Sequence, residues 1–358
     1  MGLFLTAPFL LLVLVASGIV RAGERDFDSN GVKIRYLDEG EGTPVVLIHG
    51  WARDAQWMKK PLTKPHETLP GLASRYRVIA LDCRGHGKSD KPHDTKLYGV
   101  EMVRDVVRLL DHLKIKKAHV VGYSMGSIIS GKLLVDHPER LLSVTFGGGA
   151  PMFQPEQDSL DMFAAMADTV EQGKGIGPLL VFLTPPGQAP PTEQHIAQSA
   201  KWLADQDLRG LAGALRGLKD LEVTEAQLRA SRVPVCFVNG SGEPEGLHQS
   251  IAKMFKLFPV EPTVRVIEGA NHGDTFELPA FRKAILEFLA APLDASAGAQ
   301  SRPFASEEFD GFFDFDKALR DPAHPTRLKA QYDPGDHLHP NDAGQKVMAK
   351  CIDLSRFR

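Results

Sequence analysis

Residues 118–126 read Ala118-His119-Val120-Val121-Gly122-Tyr123-Ser124-Met125-Gly126. The first five form an apolar run of strand length, and residues 128–135 follow with helical character until His137-Pro138 stops them. Between strand and helix, Gly122-Tyr123-Ser124-Met125-Gly126 fits G-x-S-x-G. A serine on a sharp strand-to-helix turn is held in a strained backbone and needs small residues two positions to either side. Its hydroxyl then stands exposed above the sheet. The N–H of Met125 faces the place where an oxyanion would develop, aided by the helix N-terminus. A plain Gly-rich turn is the competing reading, and it leaves the order of strand and helix unexplained.

Outward from this elbow the chain alternates in type. Residues 32–37 read as an edge strand. Residues 45–48, 77–81, 141–146, 233–238 and 263–267 are short apolar runs of the kind buried on both faces of a sheet. Residues 100–113, 247–258 and 279–289 carry helical spacing. Strand and helix alternating through short loops predict an α/β fold, a mostly parallel sheet with helices on both faces. The rhythm breaks over residues 151–232, which hold helical stretches and stiff proline pairs but no strand. That segment is expected to be a helical insertion over the strand ends, where ligands bind in open α/β sheets.

A serine nucleophile needs a base, and the base an orienting acid. His272, in Glu268-Gly269-Ala270-Asn271-His272-Gly273 after the last strand, is the best-placed base. His112 falls inside a helix, His119 opens the strand before the nucleophile, and His86 and His93 lie in an early loop. His49 is expected to shape its own loop. The acid should follow the strand that ends at Val238, where the chain reads Asn239-Gly240-Ser241-Gly242-Glu243-Pro244-Glu245. Glu243 is the first choice and Glu245 the alternative. The second oxyanion donor should come from the loop opened by His49-Gly50, and the N–H of Trp51 is the natural candidate.

Five blocks in order carry a resemblance: His49-Gly50-Trp51, Asp82-Cys83-Arg84-Gly85-His86-Gly87-Lys88-Ser89, the Ser124 elbow, Gly240-Ser241-Gly242-Glu243-Pro244 and Gly269-Ala270-Asn271-His272. Residues from about 26 to 291 resemble the α/β-hydrolase superfamily, in the branch with a helical cap between the sixth and seventh strands. The resemblance implies a core of residues 26–150 and 233–291 and a cap of 151–232. It also implies a triad of Ser124, Glu243 and His272, with Trp51 and Met125 as oxyanion donors. Glu243 stands where this branch usually has aspartate. Serine at 124 argues against the epoxide-hydrolase and haloalkane-dehalogenase mechanisms, which use a carboxylate nucleophile.

The rest of the chain divides into a 292–301 linker and a 302–358 segment. Within the latter, Asp336-His337-Leu338-His339-Pro340-Asn341-Asp342-Ala343-Gly344 resembles the last block of SGNH (GDSL-type) hydrolases, placing an acid and base on Asp336 and His339. No Gly-Asp-Ser block precedes them, so the segment reads as a fragment without its own nucleophile. At the other end, residues 3–20 are almost wholly apolar and uncharged. They read as a secretory signal peptide of residues 1–22, cut after Ala22, with a retained membrane anchor as the rival. Export to the periplasm or medium is the expectation.

Three widely spaced cysteines, Cys83, Cys236 and Cys351, form no disulfide framework and no metal-ligand spacing. A net charge of -3 gives no footprint for nucleic acid or an anionic membrane surface. The expected activity is hydrolysis of a small or apolar carboxylic ester through an acyl-enzyme on Ser124, with no cofactor or metal and a small-molecule substrate as partner. The same residues would serve a carbon–carbon bond, thioester or amide hydrolase or an acyltransferase. The reading of a different class is a non-catalytic protein that keeps the fold as a ligand pocket.

Overall fold

The computed structural model describes residues 23–63, 70–184 and 189–291, and the backbone of 320–321 and 324–328. The elements run β1 (Gly23–Asp28), β2 (Lys33–Glu39), β3 (Pro44–Ile48), α1 (Ala55–Thr63), β4 (Arg77–Leu81), α2 (Val100–His112), β5 (Ala118–Tyr123), α3 (Met125–Asp136) and β6 (Leu141–Gly147). An insertion follows with α4 (Gln157–Glu171), α5 (Gly177–Phe182), α6 (Glu193–Leu203), α7 (Leu208–Gly217) and α8 (Glu225–Ala230). The core resumes with β7 (Val235–Gly240), α9 (Glu245–Phe255), β8 (Thr263–Ile267) and α10 (Pro279–Ala290).

The eight strands form one sheet in the order β1-β2-β4-β3-β5-β6-β7-β8. The β1–β2 and β2–β4 pairs are antiparallel, and every pair from β4 and β3 onward is parallel. Residues 32–37 were expected at the sheet edge, but β2 lies one strand in. The edge is β1, whose Glu24, Arg25, Asp26 and Asp28 are all exposed. A strand with one wet face and one free side needs no apolar run, and charge there discourages pairing with another chain. Only Phe27 of β1 is buried.

Alternation along the central strands explains the continuous apolar runs. Val46 and Ile48 of β3 join one packed cluster with Val120 of β5, Val103 and Val106 of α2 and Ile129 and Leu133 of α3. Val45 and Leu47 face the other way, with Val121 of β5, Met58 and Leu62 of α1 and Phe281 and Ile285 of α10. Both faces are covered, so successive residues are apolar although strand side chains alternate. The first cluster runs on into the insertion through Met162, Met166, Leu211 and Leu215. The Met- and Phe-rich composition of that segment therefore serves packing. The two ends of the insertion are pinned together by a bridge between Phe153 and Val223, with the Val223 N–H donating to the Met152 carbonyl at 2.9 Å.

Residues 296–358 form a separate unit, of which only an antiparallel pair, β9 (Arg320–Asp321) and β10 (His324–Leu328), is described. Asp336 and His339, the SGNH-like pair, lie outside the described residues, as do the apolar residues 1–22 read as a signal peptide.

Candidate active site

The parallel strands all point their C-terminal ends the same way, and the expected site residues collect in the loops there. Ser124 follows β5 with φ 53° and ψ −114°, a left-handed backbone that a non-glycine residue holds only under constraint. The constraint is visible in its neighbours. A Cβ on Gly122 would collide with the Gly126 carbonyl, and a Cβ on Gly126 with the Ile48 carbonyl. These two glycines let β3, β5 and the first turn of α3 approach closely enough to form the turn. The Ser124 N–H donates to the Gly147 carbonyl at 2.9 Å, and the Ser124 carbonyl accepts from Ser127 N–H at 2.8 Å. Backbone bonds on both sides hold the strained residue, leaving its side chain half-buried at the surface.

His272 reaches this hydroxyl. Its Nε2 lies 3.0 Å from Ser124 Oγ and its Nδ1 lies 2.8 Å from Glu243 Oε2. A carboxylate can only accept, so Nδ1 carries the proton and Nε2 is left to accept from the serine. The Glu243 side chain is wholly buried, and its Oε1 has no partner among the described residues. Glu245, the alternative acid, opens α9 as an exposed residue whose Oε1 accepts from Gln249 instead. Ser241 N–H donates to Ile267 carbonyl at 3.0 Å and Gly242 N–H to Ala270 carbonyl at 2.8 Å. Two loops from neighbouring strands are thus stitched together beside the Glu243–His272 contact.

Further contacts set the loop that carries the imidazole. Tyr123 Oη donates to the His272 carbonyl at 2.7 Å, and its ring lies 5.7 Å from the imidazole. Burial pushes the Tyr123 phenol up, so it remains a donor. Asp274 accepts from the Asn271 backbone N–H at 2.7 Å and from its side-chain amide at 2.9 Å, closing the turn that carries His272. Nothing in the linear sequence gives Tyr123 a role. The one available signal is a large aromatic with a polar tip at a position that the turn forces inward.

Trp51 and Met125, the expected oxyanion donors, lie in the loop after β3 and at the first residue of α3. The N–H of each has no backbone partner among the described residues. Met125 is the first residue of α3, where amide groups have no helical acceptor. The loop of Trp51 abuts the serine, since a Cβ on Gly50 would lie 3.4 Å from Ser124 Cβ. His49 shapes that loop. Its Nδ1 donates to the Gly50 carbonyl at 2.7 Å while its Nε2 accepts from Cys83 N–H at 3.0 Å. Burial pushes its pKa down, keeping it neutral and both nitrogens engaged. Cys83 is buried and its thiol is pushed up by that burial, so it contributes its backbone and not its sulfur. Asp82 organises the same region by accepting from Ala55 N–H and Lys88 N–H, each at 2.7 Å, and from Arg35. Among the described residues no group of three or more His, Cys, Asp or Glu is placed to hold a metal ion.

Comparison with known proteins agrees with this geometry at the level of fold. Residues 43–173 match the family model described as the alpha/beta hydrolase fold. The dihydrolipoyllysine-residue acetyltransferase component of the acetoin cleaving system of Cupriavidus necator is 39% identical over 34% of this chain and 33% of its own length. The 3-oxoadipate enol-lactonase 1 of Acinetobacter baylyi is 32% identical over 49% of this chain and 65% of its own. The chain thus spans a third of the first relative and just under two thirds of the second. A carboxylesterase structure from Nitrososphaera gargenis superposes with a TM-score of 0.60 at 24% identity, covering 75% of this chain and 98% of that one. The architecture is the α/β-hydrolase fold, with helices between β6 and β7. The resemblance of residues 302–358 to SGNH hydrolases finds no support in these comparisons.

Proposed function

We propose that the protein is a serine hydrolase that cleaves a carboxylic ester of a small or apolar molecule through an acyl-enzyme on Ser124. The carrying observation is a single hydrogen-bonded line, Glu243 to His272 to Ser124, ending on a strained elbow serine; the N–H groups of Trp51 and Met125 have no backbone partner among the described residues. Ser124 Oγ attacks the acyl carbonyl carbon as His272 Nε2 takes its proton. The tetrahedral oxyanion lies against the N–H groups of Trp51 and Met125. The carbon–oxygen bond of the ester breaks, and the departing alkoxide receives the proton from His272. Water then repeats the sequence on the acyl-enzyme, losing a proton to His272 and releasing the acid with Ser124 restored. Glu243 keeps the proton on Nδ1 and stabilises the imidazolium in both halves.

The likeness to an enol-lactonase is one support for an ester substrate, because a lactone is an internal ester. Labelling by a fluorophosphonate is the direct test. Wild type should label and Ser124→Ala should not, with turnover of aryl esters falling by about 10³-fold or more. A folded wild type that does not label would sink the enzyme reading and favour a ligand-binding protein. Labelling without turnover of any aryl ester in a chain-length series would move the substrate to a carbon–carbon bond, thioester or amide.

A further inference from the structure

The loop that supplies the Trp51 N–H also carries a cation, Arg53, with no ionic partner among the described residues. Arg53 N–H donates to the Gly50 carbonyl at 3.2 Å, so the chain turns back and keeps Arg53 within one tight turn of the glycine that abuts Ser124. The guanidinium carbon lies 5.0 Å from the ring centroid of Trp57 in α1 and 4.9 Å from that of Trp202 in α6. Trp57 in turn stacks on Phe276 at 4.3 Å and meets Tyr123 edge-on at 5.9 Å. Tyr123 is the residue whose hydroxyl holds the His272 carbonyl. A continuous set of rings therefore leads from the imidazole to Arg53.

Arg53 sits at the seam between core and insertion. The same loop donates Trp51 Nε1–H to the Leu211 carbonyl of α7 at 3.0 Å. No hydrogen bond or ion pair of the Arg53 guanidinium is found among the described residues, and the side chain is exposed. Contact with two indole rings engages the guanidinium by cation–π attraction and uses none of its five N–H groups. It also fixes the side chain before any ligand arrives, which removes most of the ordering cost of binding. A preoriented guanidinium fork on the loop that abuts Ser124 matches one ligand group above others, a carboxylate held bidentately.

We propose that Arg53 is a specificity-determining residue that takes the free carboxylate of an ester whose acyl chain ends in an acid, a half-ester of a dicarboxylic acid. The assignment rests on the serine hydrolase reading, and its test separates the two. The probes are 4-nitrophenyl hydrogen glutarate and the neutral 4-nitrophenyl valerate, compared as a ratio of kcat/KM. Wild type should favour the anion, and Arg53→Gln should lower that ratio by about tenfold or more, carried by KM, with Arg53→Lys retaining part of it. A residue that merely ties insertion to core would depress both esters together, and an unchanged ratio in Arg53→Gln would overturn the proposal. A second readout needs no turnover. Glutarate titrated into Ser124→Ala should change tryptophan fluorescence saturably, and adding Arg53→Gln should abolish the change. If wild type neither labels nor hydrolyses, the hydrolase reading fails, and the titration alone decides whether Arg53 binds a carboxylate. No saturable change in Ser124→Ala would overturn it.

Discussion

At the residue scale the site depends on which glutamate faces the imidazole. Glu243 is buried with one oxygen on His272 and the other without a partner, while Glu245 is exposed on α9. Glu243→Gln presents either a carbonyl oxygen or an amide to Nδ1, and it removes the charge that favours the imidazolium. It should lower kcat by about 10²–10⁴-fold, whereas Glu245→Gln should leave kcat near wild type. Steady-state kinetics on one aryl ester distinguishes the two, and equal losses in both would contradict the assignment. The serine and histidine were legible in sequence because each sits in a short motif after a strand. Glu243 was the first choice over Glu245 in the sequence, but a Gly-rich loop gives no periodicity from which its path can be read, so the contact itself is seen only in the structure.

The elements that frame the site were readable in proportion to how much of them is buried. The central strands, packed on both faces, announce themselves as apolar runs. β1, with one buried residue, does not. Helix α1 was missed for another reason. Its buried Ala55, Met58 and Leu62 are helically spaced, but Pro61 lies within it and argues locally against a helix. Asp54 overrides that signal at the start of the helix by accepting from the Trp57 N–H at 2.7 Å. Asp207 plays the same part for α7 in the insertion, accepting from the Gly210 N–H at 2.8 Å while its two oxygens hold His93 of the core at 3.0 and 3.1 Å. Asp207→Ala should cost about 0.5–2 kcal/mol, almost all of it from the lost cap, since the partly exposed pair with His93 adds little. Denaturant unfolding measures the loss. An unchanged midpoint would show that the cap is not holding α7.

Across the whole molecule three buried histidines tie stability to pH. His49 is pushed down by burial, His86 is pulled down to about 3 and His119 to about 4, burial being the main cause in each. All three stay neutral in the folded protein well below the pH at which an unfolded chain protonates them, near 6.5. The unfolded state therefore binds more protons as pH falls below about 6.5, and stability falls with it. The decline should continue until the lowered folded values are reached, at up to about 1.4 kcal/mol per pH unit for each fully buried group. His86→Gln or His119→Gln should flatten the slope between pH 6.5 and 4.5 in denaturant unfolding, even where the substitution lowers stability at pH 7. An unchanged slope would show that these rings are charged in the fold.

The linear sequence by itself determined the parallel α/β plan and pointed to Ser124 and His272 as the proposed nucleophile and base. Each follows from local chemistry: apolar runs for strands buried on both faces, glycines where backbones must touch, a histidine in the loop after the last strand. Tertiary structure alone decided the rest. It put the carboxylate of Glu243, the first choice in the sequence, against His272 by stitching two loops across neighbouring strands. It gave Tyr123 its hold on the histidine backbone across 149 residues of chain. It also brought Trp202 of the insertion over Arg53 of the core. These contacts join residues far apart in the chain, and no local periodicity records a distance that only packing creates.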